Sequence, residues 1–126
     1  ASAPRVLVVD DTPSIRLLIR TNLELDGWDV VESVDGKDCL DRVAELRPDI
    51  ITIDAVMPNL DGFATVAALR ARSDTATVPI VMVTTQAQAA DVKRGADVGS
   101  DAYLTKPFDP DELVATLRRV LSERGA

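Results

Sequence analysis

The strongest constraint on the fold is a set of short runs that have no polar face. Val6 to Val9 (VLVV), Ile50 to Ile53 (IITI) and Val78 to Val83 (VPIVMV) are apolar almost throughout. A strand with one face in water alternates polar and apolar residues, whereas a strand apolar on both sides is covered on both. Longer amphipathic stretches separate the runs, so strand and helix alternate along the chain. The reading places strands at Arg5–Val9, Trp28–Glu32, Asp49–Ile53, Val78–Val83 and Ala102–Leu104. It places helices at Pro13–Asp26, Asp35–Leu46, Phe63–Arg72, Gln86–Val98 and Asp109–Glu123. Thr12 and Pro13 supply an N-cap and a first-turn proline, Gly27 a stop, and Asp109, Pro110 and Glu112 a capped start to the last helix. Five β-α alternations give an α/β chain, a parallel sheet with helices on both faces. No repeat or linker interrupts it, and 126 residues suit one domain, residues 1–126.

Composition narrows the chemistry. Apolar residues make up 46% of the chain but aromatics only 3%, so the core is aliphatic. The formal net charge of −7 repels phosphate backbones and anionic lipid, which argues against nucleic acid or membrane as partners of this domain alone. Histidine is absent and Cys39 is the single cysteine, so neither a zinc cluster nor an internal disulfide can form. Any metal is a hard cation held by oxygen. No signal peptide or run of transmembrane length is present, which reads as a cytoplasmic chain.

In open parallel sheets, the functional crevice lies beyond the C-terminal ends of the strands. Strand one ends in Asp10 and Asp11, strand three in Asp54, strand four in Thr84 and Thr85, and strand five runs through Leu104 and Thr105 to Lys106 and Pro107. Two carboxylates about 5 Å apart repel by roughly 3 kcal/mol at an effective dielectric near 20. Lys106 alone does not offset three of them, so the cluster predicts a divalent cation site. An acid at a strand end is often just the solvated cap of the next helix, and Asp11 alone fits that role. Three acids, a hydroxyl and an ammonium on one sheet edge argue for a site instead.

These residues fall in motifs: VLVVDD (Val6 to Asp11), IDAVMPNLDG (Ile53 to Gly62), VTT (Val83 to Thr85) and GSDAYLTKPF (Gly99 to Phe108). In order and spacing, the chain resembles over nearly its whole length the receiver domain of two-component response regulators, of the chemotaxis-regulator type. The resemblance implies a flavodoxin-like (βα)5 fold with strand order 2-1-3-4-5. It implies Asp54 as phosphoacceptor, Asp11 and Asp54 as Mg²⁺ (or Mn²⁺) ligands with the Val56 carbonyl, and Asp10 acting through water. Lys106 and Thr84 would contact phosphoryl oxygens, Tyr103 would be the switch aromatic, and the Lys106-Pro107 bond would be cis. The implied donor is a sensor histidine kinase or phosphotransfer protein, or a small phosphodonor. The implied recipient of the signal is a downstream protein or output domain. The domain would phosphorylate and dephosphorylate itself without being an enzyme, as a monomer or a phosphorylation-dependent dimer.

The resemblance implies that Val56 and Gln86, two residues after Asp54 and Thr84, flank the path of the attacking water, and they are expected, with Thr85, to tune rates. Val56 cannot orient a water, which favours a long-lived phosphoryl group, and Thr85 narrows access to Asp54. On the first helix, Ile15, Leu18, Ile19 and Leu23 are expected in the core, while Leu17 points outward. Leu17, Pro107 and Phe108 are the candidate kinase-docking residues. Cys39 falls in line with Leu40, Val43 and Leu46 and reads as core. Two other classes fit less well. A haloacid-dehalogenase-type Mg²⁺ phosphatase ends its first strand in D-x-D-x-T, whereas these acids are adjacent. A flavodoxin-like cofactor binder needs a phosphate-cradling loop where this chain has the acidic DDTPS. The chain is read either as a stand-alone receiver or as one excised from a larger DNA-binding or enzymatic regulator.

Overall fold

The structure, a computed structural model, describes residues 3–125. In chain order the elements are β1 (Arg5–Val9), α1 (Pro13–Leu25), β2 (Asp29–Ser33), α2 (Gly36–Leu46), β3 (Ile50–Ile53), α3 (Gly62–Ala71), β4 (Ile80–Thr84), α4 (Ala89–Val98), β5 (Ala102–Thr105) and α5 (Pro110–Gly125). All four strand pairings are parallel and the order is β2-β1-β3-β4-β5. The apolar runs are buried as expected, because alternate residues face opposite layers. Val6, Val8, Ile50, Val81 and Val83 pack under α1 and α5 with Ile19, Leu23, Leu113 and Leu117. Leu7, Val9, Ile51, Ile53 and Met82 pack under α2 and α3 with Cys39, Val43, Phe63 and Leu69.

Burial pushes the Cys39 thiol up to about 12, Asp38 adding to the rise and Arg72 opposing it. The residue is an inert core group.

Several boundaries differ from expectation for identifiable reasons. Trp28 is not the first residue of β2, because its amide bonds the Leu23 carbonyl and closes the end of α1. β4 begins at Ile80 rather than Val78, whose amide is taken by Thr75 in the preceding turn, and it runs on to Thr84. α4 begins at Ala89, after a capping box between Gln88 and Asp91, rather than at Gln86. Thr12 stands at the N-cap of α1 but its side chain makes no capping bond. Leu18 is the clearest correction. It is 46% exposed, because the buried stripe of α1 is narrower than four residues and centres on Ile19 and Leu23.

The strand order reverses direction between β1 and β3, which opens a crevice beyond their C-terminal ends. Gly62, at the start of α3, closes the helix onto that edge. A Cβ there would run into the Asp54 carbonyl and lie 2.7 Å from Ala55 Cα.

Candidate functional site

Each acid owes its position to the last residue of a buried strand. Asp10 and Asp54 follow Val9 and Ile53, neighbours across the β1–β3 pairing. Asp10 is 1% exposed and Asp54 8%, while Asp11 stands in solvent. Oxygens of Asp10, Asp11 and Asp54 lie within 4.8 Å of one another.

Lys106 arrives from the end of β5 and bridges two of them. Its Nζ lies 2.7 Å from Asp10 Oδ2 and 2.8 Å from Asp54 Oδ2. The Lys106-Pro107 bond is cis, as the resemblance implied. Burial by itself would lower the Lys106 pKa. Its hydrogen bonds to Asp10 and Asp54 and their negative charges outweigh burial, so the ammonium is held above its ordinary value of 10.5.

The remaining oxygens are divided unevenly. Asp10 Oδ1 accepts from the Thr12 amide at 2.9 Å, so both Asp10 oxygens have protein partners. Asp54 Oδ1 accepts from the Val56 amide at 3.1 Å. Three carboxylates facing one ammonium leave an excess of negative charge, with the exposed Asp11 as its open side. Oxygen donors in this number and charge fit a small hard divalent cation, and they do not fit a soft metal.

An open cleft of about 510 Å³ lies over the acids. Asp11, Asp54, Thr85 and Lys106 are its charged and polar lining, with Val56 beside them. Ile15, Leu18, Pro107 and Phe108 form an apolar end. The structure thus brings together Asp10, Asp11, Asp54 and Lys106, with Val56 and Thr85 at the rim. Thr84 is fully buried just beneath, its Oγ1 accepting from the Gln86 amide at 3.3 Å. Tyr103 is partly buried against α4 and its hydroxyl donates to the Gln86 carbonyl at 2.6 Å. Leu17 is 63% exposed but lies outside the cleft, whose α1 wall is instead Ile15 and Leu18.

Sequence reasoning missed Arg16. Its Nη1 donates to the Asp10 carbonyl at 2.7 Å while its Nε pairs with Glu32 at 3.1 Å, which fixes the backbone that carries the acids. The only signal in the sequence is the basic pair Arg16 and Arg20, one turn apart; both reach Glu32 on β2.

Residues 6–118 match the response regulator receiver domain. The chain is 42% identical over 118 residues to the DNA-binding dual master transcriptional regulator RpaA of Synechocystis, covering 94% of this chain and 49% of that protein. It is 39% identical over 114 residues to protein PilG of Pseudomonas aeruginosa, covering 90% of this chain and 84% of that one. It spans about half the length of RpaA and of the ycf27 regulators it also matches. Among solved structures, the Vibrio cholerae chemotaxis protein CheY4 superposes with a TM-score of 0.89 at 37% identity, covering 94% of this chain and 99% of that one. With the acid cluster at the C-terminal edge of a 2-1-3-4-5 sheet, the chain belongs to the receiver-domain family of response regulators, phosphorylation-activated modules of signal transduction.

Proposed function

We propose that Asp54 accepts a phosphoryl group in a reaction dependent on Mg²⁺ or Mn²⁺, and that the domain signals through the change this brings. The observation that carries the reading is the Lys106 ammonium held between Asp10 and Asp54 under an open cleft, with Asp11 exposed beside it. An Asp54 oxygen attacks phosphorus in line; the new O–P bond forms as the bond to the donor breaks. With a phosphohistidine donor, the imidazole leaves and takes a proton from water. Negative nucleophile meets negative phosphoryl, so catalysis is mainly positioning and charge neutralisation. Lys106 is placed to follow a phosphoryl oxygen, and a divalent cation on Asp11 and Asp54, with the Val56 carbonyl, would neutralise the rest. Asp10 would act on it through water.

Thr84 and Tyr103 are the proposed switch, since they bond the amide and the carbonyl of Gln86 on either side of its Cα. Val56, Thr85 and Gln86 are the proposed rate-setting positions. The proposed donor is a sensor histidine kinase or phosphotransfer protein. Leu17, Pro107 and Phe108 are its proposed contacts, together with the neighbouring Leu18. The proposed recipient is a downstream protein or output domain, because RpaA, about twice as long as this chain, is by name DNA-binding. The acidic balance of this chain makes DNA a poor direct ligand for it. Among the described residues no helix is long and apolar enough to cross a membrane, and the proposed setting is the cytoplasm.

Incubation with Mg²⁺ and acetyl phosphate, followed by intact mass measurement, tests this. One phosphoryl group per chain is expected, lost in Asp54→Asn and on removal of the cation with EDTA. Uptake by Asp54→Asn equal to the parent would overturn the assignment. Sustained turnover of phosphate esters would favour a phosphatase.

A further inference from the structure

α4 contains a glycine that its backbone does not require. Gly95 is buried in the body of the helix, and among the described residues only Gly27 and Gly99 of the glycines adopt positive φ. Glycine is a poor helix former, so an ordinary helical position filled by one calls for another reason. Space supplies it. A Cβ on Gly95 would lie 2.9 Å from Cδ2 and 3.0 Å from Cε2 of Tyr103, and 3.3 Å from Met82 Sδ. The thioether end of Met82 can shift, but the phenol is held at its far end by the 2.6 Å bond from its hydroxyl to the Gln86 carbonyl. The other side of Gln86 reaches the site, its amide donating to Thr84 Oγ1.

We infer that Gly95 is a positioning residue: the missing side chain is the seat for the Tyr103 ring, and the seated ring ties the β4–α4 loop to α4. The consequence rests on the reading of Thr84 and Tyr103 as the switch. A side chain at 95 unseats the phenol, frees the Gln86 carbonyl, and shifts the domain towards one state whether or not Asp54 is phosphorylated. Size at position 95 thereby sets how strongly the loop is held.

Tyr103 is the chain's one tyrosine, so its ring can be followed by NMR without ambiguity after ring labelling. In Gly95→Ala the ring signals are expected to move towards those of a solvent-exposed tyrosine. Thermal unfolding supplies the second readout. Gly95→Ala should raise Tm when placed in Tyr103→Ala, where helix propensity alone acts, and should fail to raise it beside Tyr103. Unmoved ring signals, or an equal rise in both backgrounds, overturn the inference. If Gly95→Ala does not fold, recovery of folding in the double variant supports it, and failure of the double variant overturns it. Adding Mg²⁺ and beryllofluoride to the parent protein separates the underlying reading: ring signals that ignore this phosphoryl mimic sink the switch but leave the seat intact.

Discussion

The two edges of the sheet use charge in opposite ways. At the N-terminal edge, Arg5 and Arg70 each pair with an acid, and Asp49 accepts from the Arg5 amide at 2.7 Å. Arg70 Nε donates to the Gly99 carbonyl at 2.9 Å, Nη1 to the Val78 carbonyl at 2.6 Å, and Nη2 to Asp101 at 3.0 Å. Asp101 in turn accepts from the Ile80 amide at 2.8 Å, so one ion pair fixes the starts of β4 and β5. Arg5 does the same for β1, pairing with Asp29 and donating to the Leu46 carbonyl. At the C-terminal edge, one lysine bridges two of three clustered acids and the third, Asp11, stands exposed. Matched charge holds a fold; unmatched charge at a rigid edge stores affinity for whatever neutralises it, at some expense in stability.

The comparison breaks most readily at Arg70. Arg70→Ala strands part-buried carbonyls and leaves Asp101 without the guanidinium, which should cost about 3 kcal/mol. Urea unfolding should show that loss with divalent-cation affinity unchanged; weakened cation binding would mean the two edges are coupled.

Lys106→Met tests the other edge. With Asp10 and Asp54 deprived of their shared partner, we expect about 2 kcal/mol less stability in the absence of metal. A larger rise of Tm on adding Mg²⁺ than in the parent is expected too. The pH signature has a definite sign. A group whose pKa is raised by folding stabilises fully below its unfolded value and loses that contribution as pH rises through the folded one. The Lys106 contribution should therefore persist below 10.5 and fade above it. Alkaline unfolding of Lys106→Met should lack that component.

Asp11→Asn removes the open acid without touching a core partner. Divalent-cation affinity should fall about tenfold, roughly 1.4 kcal/mol, while metal-free stability holds or rises slightly. Calorimetric titration with Mg²⁺ checks this, and unchanged affinity would exclude Asp11 as a ligand. The smallest expected change in free energy is kinetic. Val56→Asn should shorten the phosphoryl lifetime several-fold with no effect on urea unfolding, in keeping with a half-exposed rim position. An unchanged decay rate would remove Val56 from the rate-setting group.

The C-terminal edge was far more legible in the sequence than its counterpart. Asp10, Asp11, Asp54 and Lys106 sit where apolar runs stop, and in a parallel sheet all such stops lie on one side. Arg70 gave no such signal. Its partner Asp101 is 31 residues away, and most of its hydrogen bonds go to carbonyls, which no side-chain pattern encodes. Arg16 left only the faint signal of a basic pair with Arg20, because its bond to the Asp10 carbonyl is not encoded in any side-chain pattern. Leu18 was misread because helical periodicity fixes the centre of a buried stripe better than its margin: a step of one residue turns a side chain by about 100°. Trp28 stands at the start of an expected strand, but its amide closes the end of α1 instead.

The lysine bridge also bears on how the molecule comes into being. Lys106 meets Asp10 across 96 residues of sequence and Asp54 across 52. Contacts so distant are entropically dear and form late. A chain emerging in order presents β1, then β3, with their acids exposed and mutually repelling, and gains its own counter-charge only when β5 docks. Until then nothing from β5 holds that edge together, so assembly of the acid–lysine cluster reports that β1, β3, β4 and β5 are in place.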